Sequence, residues 1–293
     1  MNKFKKIAVA AAIASAAMVP VASQAALVNI NGVTFSAGSE FVTTSLWETA
    51  LVNVTDTLTG VGIVNQIDNT GGAGTTWING QNNTQLTYLM SGYSVAAWYD
   101  FANVKHTLAI DGASFNTGFS TAARIDFTGG SIKLFTDSVS AGTVLNPSSH
   151  PNVIDGPLMA ADIANATDGS LWLEYAGVTT VDAFGRVGTL FATADTANGV
   201  HAGGSGFGYL DVVLNPLAAA TNNFDTDSWD VGGVIADARL SSSFDNTNAG
   251  AWPLSGTAAI KTSAIPEPTS LALLGLGLLG VGATYRRKAG KKA

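Results

Sequence analysis

Apolar and polar residues alternate with a period of two through most of the chain between residues 29 and 262. Such a period places successive side chains on opposite faces of a β-strand. With Gly, Asn, Asp and Pro clusters between the runs, it is typical of a β-sandwich or barrel. We therefore expect an all-β fold, an antiparallel sandwich or jelly-roll-like body, with an N-terminal signal helix and a C-terminal hydrophobic helix. The strand candidates are residues 29–35, 41–51, 85–89, 94–99, 124–127, 131–135, 171–175, 186–194, 208–214, 232–242 and 256–262.

Two glycine-rich segments and one apolar segment interrupt this pattern. Gly129 and Gly130 separate two alternating arms, which predicts a hairpin because glycine adopts the positive φ that a tight turn needs. Residues 203–208 are expected to form another hairpin loop, which leads into a strand at 209–214. Residues 157–166 are compatible with a single short helix.

The amino end is a separate segment with the composition of a secretory signal peptide. A basic stretch at 1–6 precedes an Ala-rich apolar run at 7–19, and a small-x-small site ends at Ala25. These are the three regions of a signal peptide. We expect export through the Sec translocon and cleavage by signal peptidase between Ala25 and Ala26.

The carboxyl end holds another separate segment, which begins with Pro266, Glu267 and Pro268. These residues should stay extended and accessible, because proline fixes φ and removes a backbone donor. A hydrophobic helix is predicted over 269–285. Its 17 residues reach about 25 Å, slightly short of the ~30 Å core of a bilayer. The length favours a processed signal over a lasting membrane span.

Basic residues follow the apolar run directly, beginning with Arg286, Arg287 and Lys288. A basic cluster beside an apolar helix holds that end on the cytoplasmic side of a membrane. The alternative is a buried helix within a soluble core, and the adjoining charges argue against it.

The order of these features over residues 265–293 resembles the PEP-CTERM sorting signal of Gram-negative bacteria. The resemblance implies that exosortase, a membrane enzyme, recognises the Pro-Glu-Pro motif and processes the tail during export. It also implies transient anchoring in the inner membrane, followed by delivery to the cell surface or extracellular matrix. The chain is thus divided into a signal peptide at 1–25, one secreted β-rich domain at 26–264 and a sorting signal at 265–293.

The body carries a second resemblance. Residues 61–67, 76–80 and 85–88 are arranged similarly to flocculation-associated PEP-CTERM proteins of the PepA type. This resemblance implies a secreted protein that helps cells to aggregate with exopolysaccharide into flocs or biofilm. It brings no catalytic residues with it.

Composition and charge exclude several classes of function. The chain has no cysteine, which rules out disulfides, thiolate metal sites and a Cys nucleophile. The formal net charge is −7, but eight of the 14 basic residues and only one of the 21 acidic residues lie in the two end segments, which leaves −14 for residues 26–264. An acidic surface of this kind repels nucleic acid, and we expect no nucleic-acid partner.

No constellation in the body predicts catalysis. Residues 203–207 resemble the G-x-S-x-G turn of hydrolases until Phe207 replaces the last glycine. A glycoside hydrolase needs two carboxylates about 5–10 Å apart, whereas most aspartates here stand in turns, where local hydrogen bonds explain them. We expect a protein without catalytic residues, and a secreted glycoside hydrolase is the remote alternative.

No cofactor is expected, and calcium is the most credible ion that the sequence could bind. Asp225, Asp227 and Asp230 bring hard oxygen ligands into one short segment, and calcium takes about 6–8 such ligands. The segment lacks the glycine and the distal glutamate of an EF-hand. A solvated acidic turn without a metal is therefore favoured, and a calcium site is the alternative.

Tryptophans supply the candidates for sugar binding, because exposed aromatic faces stack on sugar rings. Most tryptophans nevertheless belong in a core, and Trp98 and Trp172 lie within apolar strand candidates. Trp77 and Trp229 stand instead among Asn, Thr and Asp. One of these two is predicted to be a sugar-stacking platform.

Two classes of function follow from these features. The first is a non-enzymatic surface or matrix protein that supports exopolysaccharide-associated biofilm or floc formation. The second is a carbohydrate- or calcium-binding β-sandwich module with a defined site.

Overall fold

The computed structural model describes residues 27–49, 51, 56–70, 74–100, 102–107, 122–139, 156–197, 200–246, 252 and 254–264. All of them belong to one compact unit, Leu27–Ile265. The helices predicted for the two ends lie outside the described residues. Among the described residues, no helix combines the length and the apolar character that crossing a membrane requires.

Strands make up most of the described chain, and the helices are few. The strands in chain order are β1 Val28–Ile30, β2 Val33–Phe35, β3 Gly38–Glu48, β4 Thr57–Ile63, β5 Gln66–Asn69, β6 Gly74–Ile78, β7 Thr84–Asp100, β8 Lys105–Thr107, β9 Ala122–Ser138, β10 Ser170–Val178, β11 Thr180–Val181, β12 Val187–Gly188, β13 Leu190–Ala197, β14 Val200–Val212, β15 Trp229–Val231, β16 Val234–Ala236, β17 Ala238–Asn246 and β18 Leu254–Ser263. The helices are α1 Gly156–Thr167, α2 Thr221–Phe224 and a 3₁₀ turn at Gln81–Asn83.

Eight of the strands close into an antiparallel barrel. Their order is β9-β13-β14-β17-β18-β3-β4-β7, and β7 pairs again with β9. The all-β, antiparallel prediction is confirmed. The predicted sandwich or jelly-roll is not, because one sheet curls until its first and last strands meet, and full closure leaves no unpaired edge in the ring.

Every predicted strand region overlaps a strand of the structure, but several strands were not predicted. β4 is the clearest example, because Gly60 and Gly62 interrupt its apolar pattern. These glycines are needed where they stand. A side chain on Gly62 would lie 2.3 Å from both the Ser45 carbonyl oxygen and the Tyr88 hydroxyl.

The hairpin predicted at Gly129 and Gly130 is wrong. Both residues have positive φ, 71° and 88°, yet β9 continues through them and pairs with β7 on both sides of them. Gly130 lies under the ring of Tyr93, and a β-carbon on Gly130 would lie 2.3 Å from that ring. The glycines bend the strand, so that its first half pairs with β13 and its second half with β10.

The second predicted hairpin loop, at 203–208, is also wrong, because these residues lie inside β14. Glycine is needed here for close approach between strands. A side chain on Gly204 would lie 2.4 Å from the Thr193 carbonyl oxygen and 2.5 Å from the ring of Phe244.

The short helix predicted at 157–166 is confirmed as α1. It packs on the outside of the barrel, where Ala166 joins Val61 and Trp252 in a buried apolar cluster. The indole N–H of Trp252 donates a 2.8 Å hydrogen bond to the buried Asp162 carboxylate. A polar group that leaves water must find such a partner, so this bond fixes the helix against the barrel.

An aromatic cluster forms part of the main core. Trp172 meets Phe35 and Phe41 edge-on, with ring centroids 5.8 and 5.9 Å apart, and Phe224 of α2 lies 5.6 Å from it. Edge-on contacts are favourable arrangements for aromatic rings. Trp172 and Trp98 are 0% and 3% exposed, so the prediction that both lie in the core is confirmed.

Candidate functional site

β14 presents a row of large side chains to the outside of the barrel. Phe207, Tyr209 and Asp211 alternate with the buried Gly208 and Leu210, as the two-residue period of a strand requires. The row therefore places two aromatic rings and a carboxylate in line on one outer face.

The segment at 225–228 lies against this row because Asp237 holds it there. Asp237 is fully buried. Its Oδ1 accepts hydrogen bonds from the backbone N–H groups of Thr226 (2.5 Å) and Asp227 (2.7 Å). Its Oδ2 accepts one from Val212 (2.8 Å). A single buried carboxylate thus ties the segment to β14.

Three carboxylates meet at this point. Asp211, Asp227 and Asp237 each place an oxygen within 4.8 Å of the others. Desolvation, a hydrogen bond with Asp237 and the charges of the neighbouring carboxylates raise the pKa of Asp211 to about 6. The pKa of Asp225 is also raised, by desolvation and by the charges of Asp237 and Asp227. A hard cation would relieve this repulsion, and carboxylate oxygens are ligands that calcium prefers.

The predicted calcium residues are only partly brought together. Asp227 is in the cluster, and Asp225 is close enough to interact with it. Asp230 is not in the cluster, because its Oδ1 accepts a 2.9 Å hydrogen bond from the N–H of Gly233 in the turn between β15 and β16. Sequence reasoning missed Asp211, which lies on β14, and Asp237, which lies between β16 and β17.

Aromatic rings continue the site beside the carboxylates. Trp229 is half-buried, and its ring centroid lies 6.4 Å from that of Tyr209. Tyr209 meets Phe207 edge-on at 5.1 Å, and the exposed Arg239 holds its guanidinium carbon 4.8 Å from the centre of the Phe207 ring. Aromatic faces edged by polar groups are suited to sugar rings. We call the residues Phe207, Tyr209, Asp211, Asp227, Trp229 and Arg239 the outer-face site.

Trp77, the other predicted sugar platform, is not available for stacking. It is 0% exposed and belongs to the main core. Its neighbours Thr76 and Ile78 face outward, because successive residues of a strand point to opposite sides. The polar residues on which the prediction rested therefore do not surround the ring of Trp77.

A polar cleft was not predicted at all. It has a volume of 420 Å³, and hydroxyl, amide and carboxylate groups line it. Its lining residues come from separate segments, which conceals the cleft in the sequence. They are Asn31, Asn83, Thr84, Thr136, Asp137, Ser138, Asp168, Gly169 and Ser170.

The predicted sorting and processing residues lie outside the described residues. They are the motif Pro266, Glu267 and Pro268, the basic anchor Arg286, Arg287 and Lys288, and the cleavage pair Ala25 and Ala26.

Fold and sequence together define an all-β barrel protein with a sorting segment at its carboxyl end. Residues 264–288 match the family model of the PEP-CTERM protein-sorting motif. The chain therefore carries a PEP-CTERM sorting motif, which implies export and exosortase as its processing partner. No curated protein and no solved structure matches the chain. The resemblance to the PepA type stays a prediction.

Proposed function

We propose that the protein acts at the cell surface or in the extracellular matrix and supports exopolysaccharide-associated biofilm or floc formation without catalysis. The sorting motif at 264–288 carries the proposal, because it implies that the chain is exported. The acidic composition of the body supports it, since the protein then repels nucleic acid and anionic membrane surfaces.

The carboxylate cluster keeps two groups that face outward, Asp211 and Asp227, because Asp237 is buried and both of its oxygens accept backbone hydrogen bonds. A glycosidase also needs two carboxylates that can reach the sugar, so the hydrolase alternative has to be tested directly. Turnover of purified exopolysaccharide would reveal the hydrolase alternative.

Two measurements test the proposed function. Deletion of the chain in its host is expected to reduce cell aggregation, and complementation with the wild-type chain should restore it. The intact mass of the exported protein is expected to lack the basic end, whereas Glu267→Ala should leave an unprocessed chain in the membrane fraction. Normal flocs in the deletion strain would contradict the proposal.

A carbohydrate- and calcium-binding module is the second candidate function. The specific observation in its favour is the position of Trp229 and Tyr209 directly beside the carboxylates of Asp211 and Asp227. A cation held there could bridge the protein to sugar hydroxyls, since calcium accepts oxygen ligands from both.

Titration with purified exopolysaccharide, with and without calcium, tests this candidate. Trp229→Ala is expected to weaken binding about tenfold, a loss of roughly 1.4 kcal/mol. Asp227→Asn should remove the effect of calcium, whereas Asp230→Asn should not, because Asp230 binds the backbone of its own turn. The effect of calcium should also fade below about pH 6, as Asp211 takes up a proton. Calcium-independent binding that Trp229→Ala leaves intact would argue against this module.

A further inference from the structure

The hairpin of β11 and β12 ends in a turn that its own polar groups hold. Oδ1 of Asp182 accepts hydrogen bonds from the backbone N–H groups of Phe184 and Arg186, both 2.9 Å. Oδ2 accepts a 2.6 Å bond from Nε of Arg186, and the N–H of Gly185 donates to the Asp182 carbonyl. The turn is therefore rigid without the ring of Phe184.

Phe184 nevertheless places its ring at the tip of this turn, 77% exposed. Burial of such a side chain would be worth about 1.5–3 kcal/mol, so the exposed ring contributes little to folding. Val181 and Val187 on the same hairpin are 61% and 56% exposed. Val181 and Val187 pair with each other on the face of the hairpin opposite to Asp182 and Arg186, so the ring of Phe184 is the apolar group on the Arg186 side.

Two guanidinium groups flank the exposed ring. The Cζ atoms of Arg124 and Arg186 lie 5.8 and 5.7 Å from its centroid. Arg186 is paired with the carboxylates of Asp182 and Asp126. The guanidinium of Arg124 lies against the rings of Tyr99 and Phe184. No carboxylate among the described residues forms an ion pair with Arg124.

A third basic residue lies nearby. Tyr99 of β7 pairs with Lys105 of β8 on one side and with Arg124 of β9 on the other. Directly paired residues point to the same face of a sheet, so Lys105 and Arg124 flank Tyr99. Lys105, Arg124 and Arg186 are three of the six basic residues in a segment, 26–264, whose net charge is −14.

We propose that Lys105, Arg124, Phe184 and Arg186 form a second ligand site, the hairpin patch, which binds carboxylated sugar residues of an acidic polysaccharide. The ring of Phe184 packs against the C–H face of the sugar, and Arg124 takes the carboxylate with its two-pronged guanidinium. The proposal rests on the proposed function, because it names the chemical class of the exopolysaccharide. Phe191 lies between the hairpin patch and the outer-face site, because it pairs with Phe207 in the sheet and its ring centroid lies 5.2 Å from the Cζ of Arg186.

Charge complementarity selects this ligand class. The acidic surface of the body repels a polyanion in general, so a polyanion can dock only where basic groups offset that repulsion. A neutral glycan could accept only ordinary hydrogen bonds from Arg124, whereas a carboxylate gains the stronger charge-assisted, two-pronged pair. An acidic peptide supplies carboxylates but not a flat C–H face at a fixed distance from each of them.

Titration of the purified exported protein with polygalacturonate oligosaccharides tests the proposal. We expect saturable binding that weakens as salt rises, and binding at least about tenfold weaker to dextran and to polyglutamate. Phe184→Ala and Arg124→Gln should each weaken binding about tenfold, and Arg124→Lys less, because lysine keeps the charge but not the fork. Lys261→Gln removes an exposed positive charge elsewhere and should leave binding unchanged.

Circular dichroism and the thermal midpoint verify that each variant is folded. Equal binding of dextran, or no effect of Phe184→Ala and Arg124→Gln, would overturn the proposal, and equal binding of polyglutamate would assign the patch to acidic peptides instead. The outcome is separable from the proposed function. If Phe184→Ala binds polygalacturonate normally while the deletion strain fails to aggregate, the hairpin patch alone is refuted. If binding depends on the patch while the deletion strain aggregates normally, the proposed function alone is refuted.

Discussion

Asp237→Ala is expected to lower the free energy of unfolding by about 3–5 kcal/mol, because each stranded donor costs about 1–3 kcal/mol. The carboxylate accepts the N–H groups of Val212, Thr226 and Asp227 within 2.8 Å. The segment at 225–228 then loses its attachment to β14. Chemical denaturation measures the change, and the cation and sugar binding proposed for the outer-face site should be lost at the same time.

Asp230→Ala is the matched control, since Asp230 accepts one exposed backbone bond, from Gly233, and its loss should cost about 1 kcal/mol or less. Asp237→Asn keeps one acceptor oxygen and should fall between the two. An unchanged denaturation midpoint for Asp237→Ala would show that the segment at 225–228 is held by other contacts.

Glu48→Gln is expected to stabilise the protein by about 3 kcal/mol above pH 7 and to change little near pH 4, at 1.36 kcal/mol per pKa unit. Glu48 is 4% exposed, and burial raises its pKa from 4.5 to about 7. It lines a 20 Å³ cavity in the barrel with Tyr88 and Met90, room for about one water molecule.

The sign of the effect follows from proton linkage. The folded protein binds the proton of Glu48 more tightly than the unfolded chain does. The contribution of the protonated Glu48 carboxyl to the free energy of unfolding is therefore fully present below pH 4.5 and is lost as pH rises through about 7. Glutamine cannot ionise, so the thermal midpoint of Glu48→Gln should decline less between pH 4 and pH 8.

Glu40→Gln is the control for this experiment. Glu40 is partly exposed and pairs with Lys261 at 3.5 Å, and a surface pair contributes little to stability. Its substitution should leave the pH dependence of the wild type in place. Parallel pH curves for the wild type and Glu48→Gln would mean that Glu48 is solvated in the folded protein.

The glycines show where local sequence reasoning fails. Gly129 and Gly130 have the positive φ that a turn needs, and the sequence around them fits a hairpin. The same backbone conformation also fits a bend within a strand. The pairing of β7 with β9 on both sides of the glycines shows that they form a bend within a strand and not a turn. The residues of β7, 84–100, lie too far along the chain to enter a local pattern.

The outer-face site shows the same limit for function. Asp227 and Trp229 were predicted because they share one polar segment. Asp211 and Asp237 join them only because β14 lies beside the start of β17. Alternation along β14 could have placed Asp211 outside the barrel with Tyr209, but no local signal marks a buried carboxylate such as Asp237.

The sequence by itself determined that this protein is built from strands and that it is exported under a PEP-CTERM motif. Both properties are read from contiguous residues, because one is a two-residue period along the strands and the other is a linear sorting motif. Tertiary structure alone decided that the sheet closes into a barrel, that Trp77 is buried, and that the residues of the outer-face site and of the hairpin patch come together. Those features depend on contacts between strands far apart in the chain, and such contacts form only when the barrel closes.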